Sequence, residues 1–231
     1  TGPEGHIVLD GGYPSTAPMI MASIATLGFN IKDVSVLLNS EPHPDHGGGL
    51  GVLQQASGAE LWASDASAVT LASGGDDPDG LLPLRALVWI GVLGYPAMRV
   101  DHRFKDGDTI RLGPLAVTAH VTGGHTRGCT SWSFQVRDGD RVLNVVSACD
   151  LGRLATSQYP EQQADLERSF RVLRGLPVDI WVTCHARWWG RYRKFVASAA
   201  AKDAVEPFID PEGYRAYIDA AEAELRSGRL H

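Results

Sequence analysis

Glu41-Pro42-His43-Pro44-Asp45-His46 is the stretch on which the reading of this chain turns. Two imidazoles and two carboxylates fall within six residues, directly after the apolar run Val34-Ser35-Val36-Leu37-Leu38 and directly before Gly47-Gly48-Gly49-Leu50. So many ligand-type groups at the end of a predicted strand are expensive to hold together unless a cation neutralises them. Zinc takes imidazole nitrogen and carboxylate oxygen at about 2.0–2.2 Å, which suits this set of donors. Two later histidines have similar settings: His125 in Thr122-Gly123-Gly124-His125-Thr126, and His185 in Val182-Thr183-Cys184-His185-Ala186. Each follows a predicted β-strand, so three segments can deliver ligands to one edge of the sheets. A lone histidine is more often structural. The metal reading rests on the group.

Outward from this block, short apolar runs alternate with helical spacing. Strands are predicted over residues 6–9, 34–38, 60–63, 109–112, 115–121, 130–136, 141–148 and 179–184. Helices are predicted over 15–27, 48–56, 66–71 and 161–174, with a last one from Pro211, which Asp210 caps. Gly58 fits a helix C-cap, Asp65 the cap of the helix that follows it, and Asp138-Gly139 a hairpin turn. Residues 73–83 read as a loop, and Gly47-Gly48-Gly49 as a tight turn. Strands in two groups with helices interspersed predict two face-to-face sheets covered by helices, in a single domain over residues 1–231.

Composition narrows the partners. With 21 Lys and Arg against 27 Asp and Glu the net charge is −6, so the chain lacks the basic face that nucleic acid requires. No apolar run approaches the roughly 20 residues of a membrane span. Three cysteines do not make a disulfide scaffold, and Cys129, Cys149 and Cys184 are read as small buried residues.

The block at 41–46 with its glycines, Gly124-His125-Thr126, and His185 after a strand resemble the metallo-β-lactamase superfamily. Ala119-His120, the run His125-Thr126 to Thr130-Ser131-Trp132, and Arg168-Ser169-Phe170 before Leu176-Pro177 resemble the third subclass of class B β-lactamases. The resemblance spans nearly the whole chain, from Leu9-Asp10-Gly11-Gly12 onward. It implies an α/β fold, an αββα four-layer sandwich with two zinc ions between the sheets. Carried over by position, Glu41, His43 and His125 would hold the first zinc, and Asp45, His46 and His185 the second. A metal-bound hydroxide, oriented by Asp45, would attack the β-lactam amide of an antibiotic. The resemblance further implies a monomer acting on a small-molecule substrate, periplasmic or secreted, with a role in antibiotic resistance.

Four departures qualify this. Glu41 stands where the family has His or Gln, which makes that ligand anionic and its zinc a weaker Lewis acid; the competing reading turns Glu41 to solvent and leaves one metal. After Asp150, Leu151 and Arg153 stand where serines usually hold the substrate, and Arg153 could pair with a carboxylate. Tyr159 is a further substrate-binding candidate. The family's cysteine pair is unmatched, since Val178 follows Pro177. No strand pair precedes Asp10-Gly11-Gly12, so one is expected to be missing. In the glyoxalase-type and lactonase branches an aspartate placed like Asp150 bridges the metals, so a lactone or thioester hydrolase is the alternative, and a weakly active metal-binding member is the third reading. The basic stretch Arg187-Trp188-Trp189-Gly190-Arg191 is read either as the mouth of the site or as a solvated surface. His6, His102 and His231 are read as structural or exposed.

Overall fold

The computed structural model describes residues 1–228, so His231 lies outside the described residues. Two sheets form the frame. The first runs β1 (His6–Leu9), β2 (Val34–Leu38), β3 (Glu60–Ser64), β4 (His102–Phe104), all parallel. The second runs β5 (Thr109–Leu112), β6 (Leu115–Val121), β7 (Thr130–Asp138), β8 (Arg141–Ala148), β9 (Ile180–Thr183); it is antiparallel until β9 joins β8 in parallel. The helices are α1 (Ala17–Thr26), α2 (Leu50–Ser57), α3 (Asp65–Ala72), α4 (Leu82–Trp89), α5 (Gln162–Gly175), α6 (Arg191–Ala200) and α7 (Pro211–Arg226).

Three apolar layers make this the expected αββα sandwich. Between the sheets, Val36, Leu38 and Phe104 of the first meet Ile110, Val117, Ala119 and Trp132 of the second. Outside the first sheet, Leu37 and Leu61 pack under Ala17, Leu50, Leu53 and Leu71 from α1, α2 and α3. Outside the second, Val146 and Trp181 pack under Leu166, Phe170 and Leu173 of α5 and Tyr214 and Ile218 of α7. Leu37 and Leu38 thus point to opposite layers, as strand alternation requires of a central strand buried on both faces. Each fully buried leucine adds about 1.5–3 kcal/mol.

Local chemistry sets the ends of most elements. Asp210 accepts a hydrogen bond from the Gly213 amide (2.9 Å) and caps α7, as expected. Gly58 ends α2 in the left-handed region at φ 84°. The cap of α3 is Ser64, whose hydroxyl accepts from the Ser67 amide, and not Asp65, which sits in the first turn and complements the helix dipole instead. Gly47, Gly48 and Gly49 lie in turns, as expected, without a positive φ, and they also serve close approach. A Cβ on Gly49 would stand 2.1 Å from the Gly11 carbonyl oxygen, and one on Gly11 would stand 2.4 Å from the Leu50 amide nitrogen. Helices α4 and α6 and strand β4 were not anticipated.

The reading of all three cysteines as isolated buried residues is corrected. Cys129 and Cys149 form a disulfide with a Cα separation of 6.0 Å, and only Cys184 is free. The hairpin explains the pairing: Trp132 lies opposite Ser147, so the residue before β7 and the residue after β8 meet at one end of the ladder.

Candidate metal centre

The carboxyl ends of β2, β6, β8 and β9 meet at one edge of the sandwich, and each releases a loop there. The loop after β2 is fixed first. The Ser40 amide donates to Asp10 Oδ1 (2.7 Å), the Thr130 amide to the Ser40 carbonyl (2.8 Å), and the Trp132 indole to the Ser40 hydroxyl (3.1 Å). Asn39 donates to the Glu41 carbonyl at 2.6 Å. Glu41 is therefore locked in place with no solvent exposure, and the reading that turned it to solvent fails.

Three histidines surround that carboxylate. Nδ1 of His43 is 2.9 Å from Oε2, Nε2 of His125 is 3.3 Å from Oε2, and Nε2 of His46 is 3.1 Å from Oε1. Asp45 and His185 complete a second group on the open side: Asp45 Oδ2 is 3.3 Å from His46 Nε2 and 4.0 Å from His185 Nε2. All six residues singled out from the sequence are brought together. Glu41, His43 and His125 have ligand atoms within 4.8 Å of one another, as do His46, Cys184 and His185.

A cation fits this arrangement. Glu41 Oε1 is buried and makes no hydrogen bond, although His46 Nε2 lies 3.1 Å away, so the carboxylate is left to be met by a charge, from a protonated imidazole or from a cation. His125 Nδ1 donates to the Gly152 carbonyl at 2.7 Å, which orients the ring with Nε2 toward Glu41. Asp10 stands 3.9 Å behind His46 Nδ1 and can orient that ring likewise. Asp10 is the described non-glycine residue with positive φ, 60°, so its backbone is held in an unfavourable region to put the carboxylate there.

Without a metal, His43 and His46 hold their protons more tightly than a free imidazole does. Burial alone would raise the Glu41 pKa, but His125, His43 and His46 outweigh it and hold the carboxyl well below its ordinary range. Burial would lower His46, but the hydrogen bond to Asp45 and the charges of Glu41 and Asp10 raise it to about 9. His43 is also raised, against burial, by its hydrogen bond to and the charge of Glu41. Asp10 is pushed up to about 6 by burial, offset in part by His46 and Ser40. Burial, with Glu41 and Asp150 nearby, pushes the Cys184 thiol up, so it is no ready thiolate.

A cavity of about 430 Å³ opens onto His43, Asp45, His125 and His185. Asp150 lines it and stands between the two groups, with Oδ1 3.8 Å from His125 Nδ1 and Oδ2 3.8 Å from His185 Nε2. Two sequence candidates lie elsewhere. The Tyr159 hydroxyl is tied to Asp165 at 2.9 Å while Arg127 covers its ring at 4.1 Å, and Arg153 points its Nε at Gln162 Oε1, 3.3 Å away. Neither lines the cavity. Their places are taken by residues the sequence reading passed over, notably Tyr217, Ala220, Ala221 and Glu224 on one face of α7. That i, i+3, i+4, i+7 stripe was visible, but it is equally the pattern of a core-facing helix. His120 bonds the Ser133 hydroxyl (2.8 Å) and His102 stacks on Trp62, both away from the site.

Comparison with known proteins gives the wider context. The family model for the metallo-β-lactamase superfamily matches residues 1–185. Among solved structures, the Rm3 metallo-β-lactamase is 40% identical, with 98% of this chain and 84% of that chain covered and a TM-score of 0.88. MEM-A1, a subclass B3 metallo-β-lactamase isolated from a soil metagenome library, is 32% identical over 98% of this chain and 86% of that one, with a TM-score of 0.87. Curated relatives carry another activity. A hydroxyacylglutathione hydrolase of Rhodopseudomonas palustris (strain BisB18) is 26% identical over 94% of this chain and 68% of its own length. One from Jannaschia sp. (strain CCS1) is 27% identical over 67% of this chain, and the match spans 49% of that relative's length.

Proposed function

Because the chain belongs to the metallo-β-lactamase superfamily, we propose that it is a zinc-dependent hydrolase of β-lactam antibiotics with a glutamate among its metal ligands. The observation that carries the choice of substrate is the likeness to the Rm3 enzyme, at 40% identity over 98% of this chain. Glu41, His43 and His125 would hold a first zinc, and Asp45, His46 and His185 a second. Bound zinc supplies an acidified water and a Lewis acid for the scissile carbonyl. The chain's own residues do the rest. Asp45, on the cavity wall, orients the attacking water. The Gly152 carbonyl and Asp10 keep the imidazoles of His125 and His46 aimed inward. Glu41 adds negative charge at the first site, which tightens the hold on the cation and reduces the acidity of its water. An enzyme of this kind meets its substrate outside the cytoplasm, so a periplasmic or secreted location is expected.

A second reading is favoured by Asp150, which stands between the two ligand groups at 3.8 Å from a histidine of each. An aspartate bridging the metals there fits a hydrolase of thioesters or lactones, and the curated relatives are named as hydroxyacylglutathione hydrolases. Turnover of a chromogenic cephalosporin, abolished by EDTA and restored by zinc, is the expected result for the first reading. No cephalosporin turnover by zinc-loaded protein, with turnover of a glutathione thioester or an acyl-homoserine lactone, selects the second.

A further inference from the structure

The cavity beside the ligand groups is lined by three carboxylates, Asp45, Asp150 and Glu224, in a protein of net charge −6. Besides its histidines, the cationic side chain that its lining holds among the described residues is Arg187. Arg187 lies two residues past His185 on a turn closed by the Trp188 amide donating to the His185 carbonyl at 3.1 Å. Its guanidinium carbon sits 4.7 Å from the centre of the Trp188 ring, and it makes no ion pair among the described residues. Its guanidinium is braced on an indole face, which restricts it without using its five N–H donors. Trp188 also lines the cavity, and Tyr217 approaches Trp188 from α7 at 6.5 Å between ring centroids.

We propose that Arg187, shelved on Trp188, is the anion anchor of the cavity and selects substrates carrying a carboxylate. The assignment rests on the reading of the cavity as the site of a hydrolase. It replaces Arg153, whose side chain the structure directs to Gln162. A planar guanidinium with free donors matches a carboxylate through two parallel hydrogen bonds. Arg187 is a specificity residue, since it lies outside the ligand groups and takes no part in bond breaking.

The test compares a chromogenic cephalosporin with its carboxylate methyl ester on zinc-loaded wild type, Arg187→Ala and Arg187→Lys. The expected result is that Arg187→Ala raises KM for the free acid by about tenfold or more, the loss of a charge-assisted contact. The kcat should stay within about twofold, KM for the ester should hold, and Arg187→Lys should recover part of the loss. Added salt should weaken the free acid on wild type and have little effect on Arg187→Ala. An unchanged KM for the free acid in Arg187→Ala, or equal rises for acid and ester, overturns the proposal. Calorimetric binding of benzylpenicillin and its methyl ester to EDTA-treated protein, which leaves them intact, decides the matter independently of turnover. Acid binding that depends on Arg187 in a protein that hydrolyses no β-lactam would sustain the anchor while removing the β-lactamase reading. Absence of any binding to wild type would overturn the anchor itself.

Discussion

Replacing His46 with Gln in protein stripped of metal isolates the charge balance around Glu41. His46 is 5% exposed and faces Glu41, Asp45 and, from behind, Asp10. Its pKa is raised from 6.5 to about 9, because those carboxylates outweigh the burial that would lower it. A raised folded-state value means that the proton is bound more tightly in the native protein than in the unfolded one. The stabilisation is therefore complete below about pH 6.5 and is lost as pH rises through about 9. At about 1.4 kcal/mol per pH unit this amounts to about 3 kcal/mol. In urea denaturation of EDTA-treated protein, the difference between wild type and His46→Gln should shrink by about that much between pH 6 and pH 10. Zinc must displace the same proton, so zinc affinity should rise by about tenfold per unit up to about pH 9 and level off above it, measured by chelator competition. A stability difference that stays flat from pH 6 to pH 10 would refute the assignment of a proton to His46 and with it the cage of carboxylates around that ring.

Other consequences can be measured more simply. Glu41→His, by removing a negative ligand, should make the nucleophilic water more acidic and raise cephalosporin turnover; an unchanged or lower rate across the pH range, with zinc content retained, would sink that idea. Gly124→Ala places a Cβ 2.3 Å from Leu166 Cγ at φ 132°, so it should lower stability by about 2–3 kcal/mol and weaken zinc binding through the neighbouring His125. Calorimetry and zinc titration would show both effects, and a wild-type Tm would count against them. Replacing Cys129 and Cys149 together with Ala should cost about 3 kcal/mol in urea denaturation, the value expected for a ring of this length. No change on reduction of the wild type would mean that the bond contributes nothing.

Legibility followed the range of the forces involved. Glu41 and the five residues gathered around it could be named from sequence because each sits at or just after the end of an apolar run, and strand ends in layered sheets lie along edges. The helix at 82–89 could not: with no buried residue its apolar side chains show no periodic face, although Pro83 was an available start signal. Tyr159 was misplaced because position along the chain says nothing of direction; its partner Asp165 lies one helical turn into α5 and draws the hydroxyl away from the cavity. Arg153 failed for the same reason, with Gln162 as its partner. Asp10 was quoted as part of a motif, yet its role behind His46 depends on a positive φ that composition does not announce. The disulfide escaped because an odd count of cysteines argues about scaffolds and is silent about one local pair.

That pair has a consequence for how the protein matures. The ring closed between Cys129 and Cys149 encloses β7 and β8 and nothing else, since the two strands and their Asp138-Gly139 turn fill the interval. Formation of one hairpin, a microsecond-scale event in itself, therefore brings the two thiols together before either sheet is complete. Oxidation can then proceed at the pace of the oxidant, without waiting for cation uptake or for the last helix to dock. Cys184, on the neighbouring strand end, joins the assembly only when β9 pairs with β8, by which time its two potential partners can already be committed to each other.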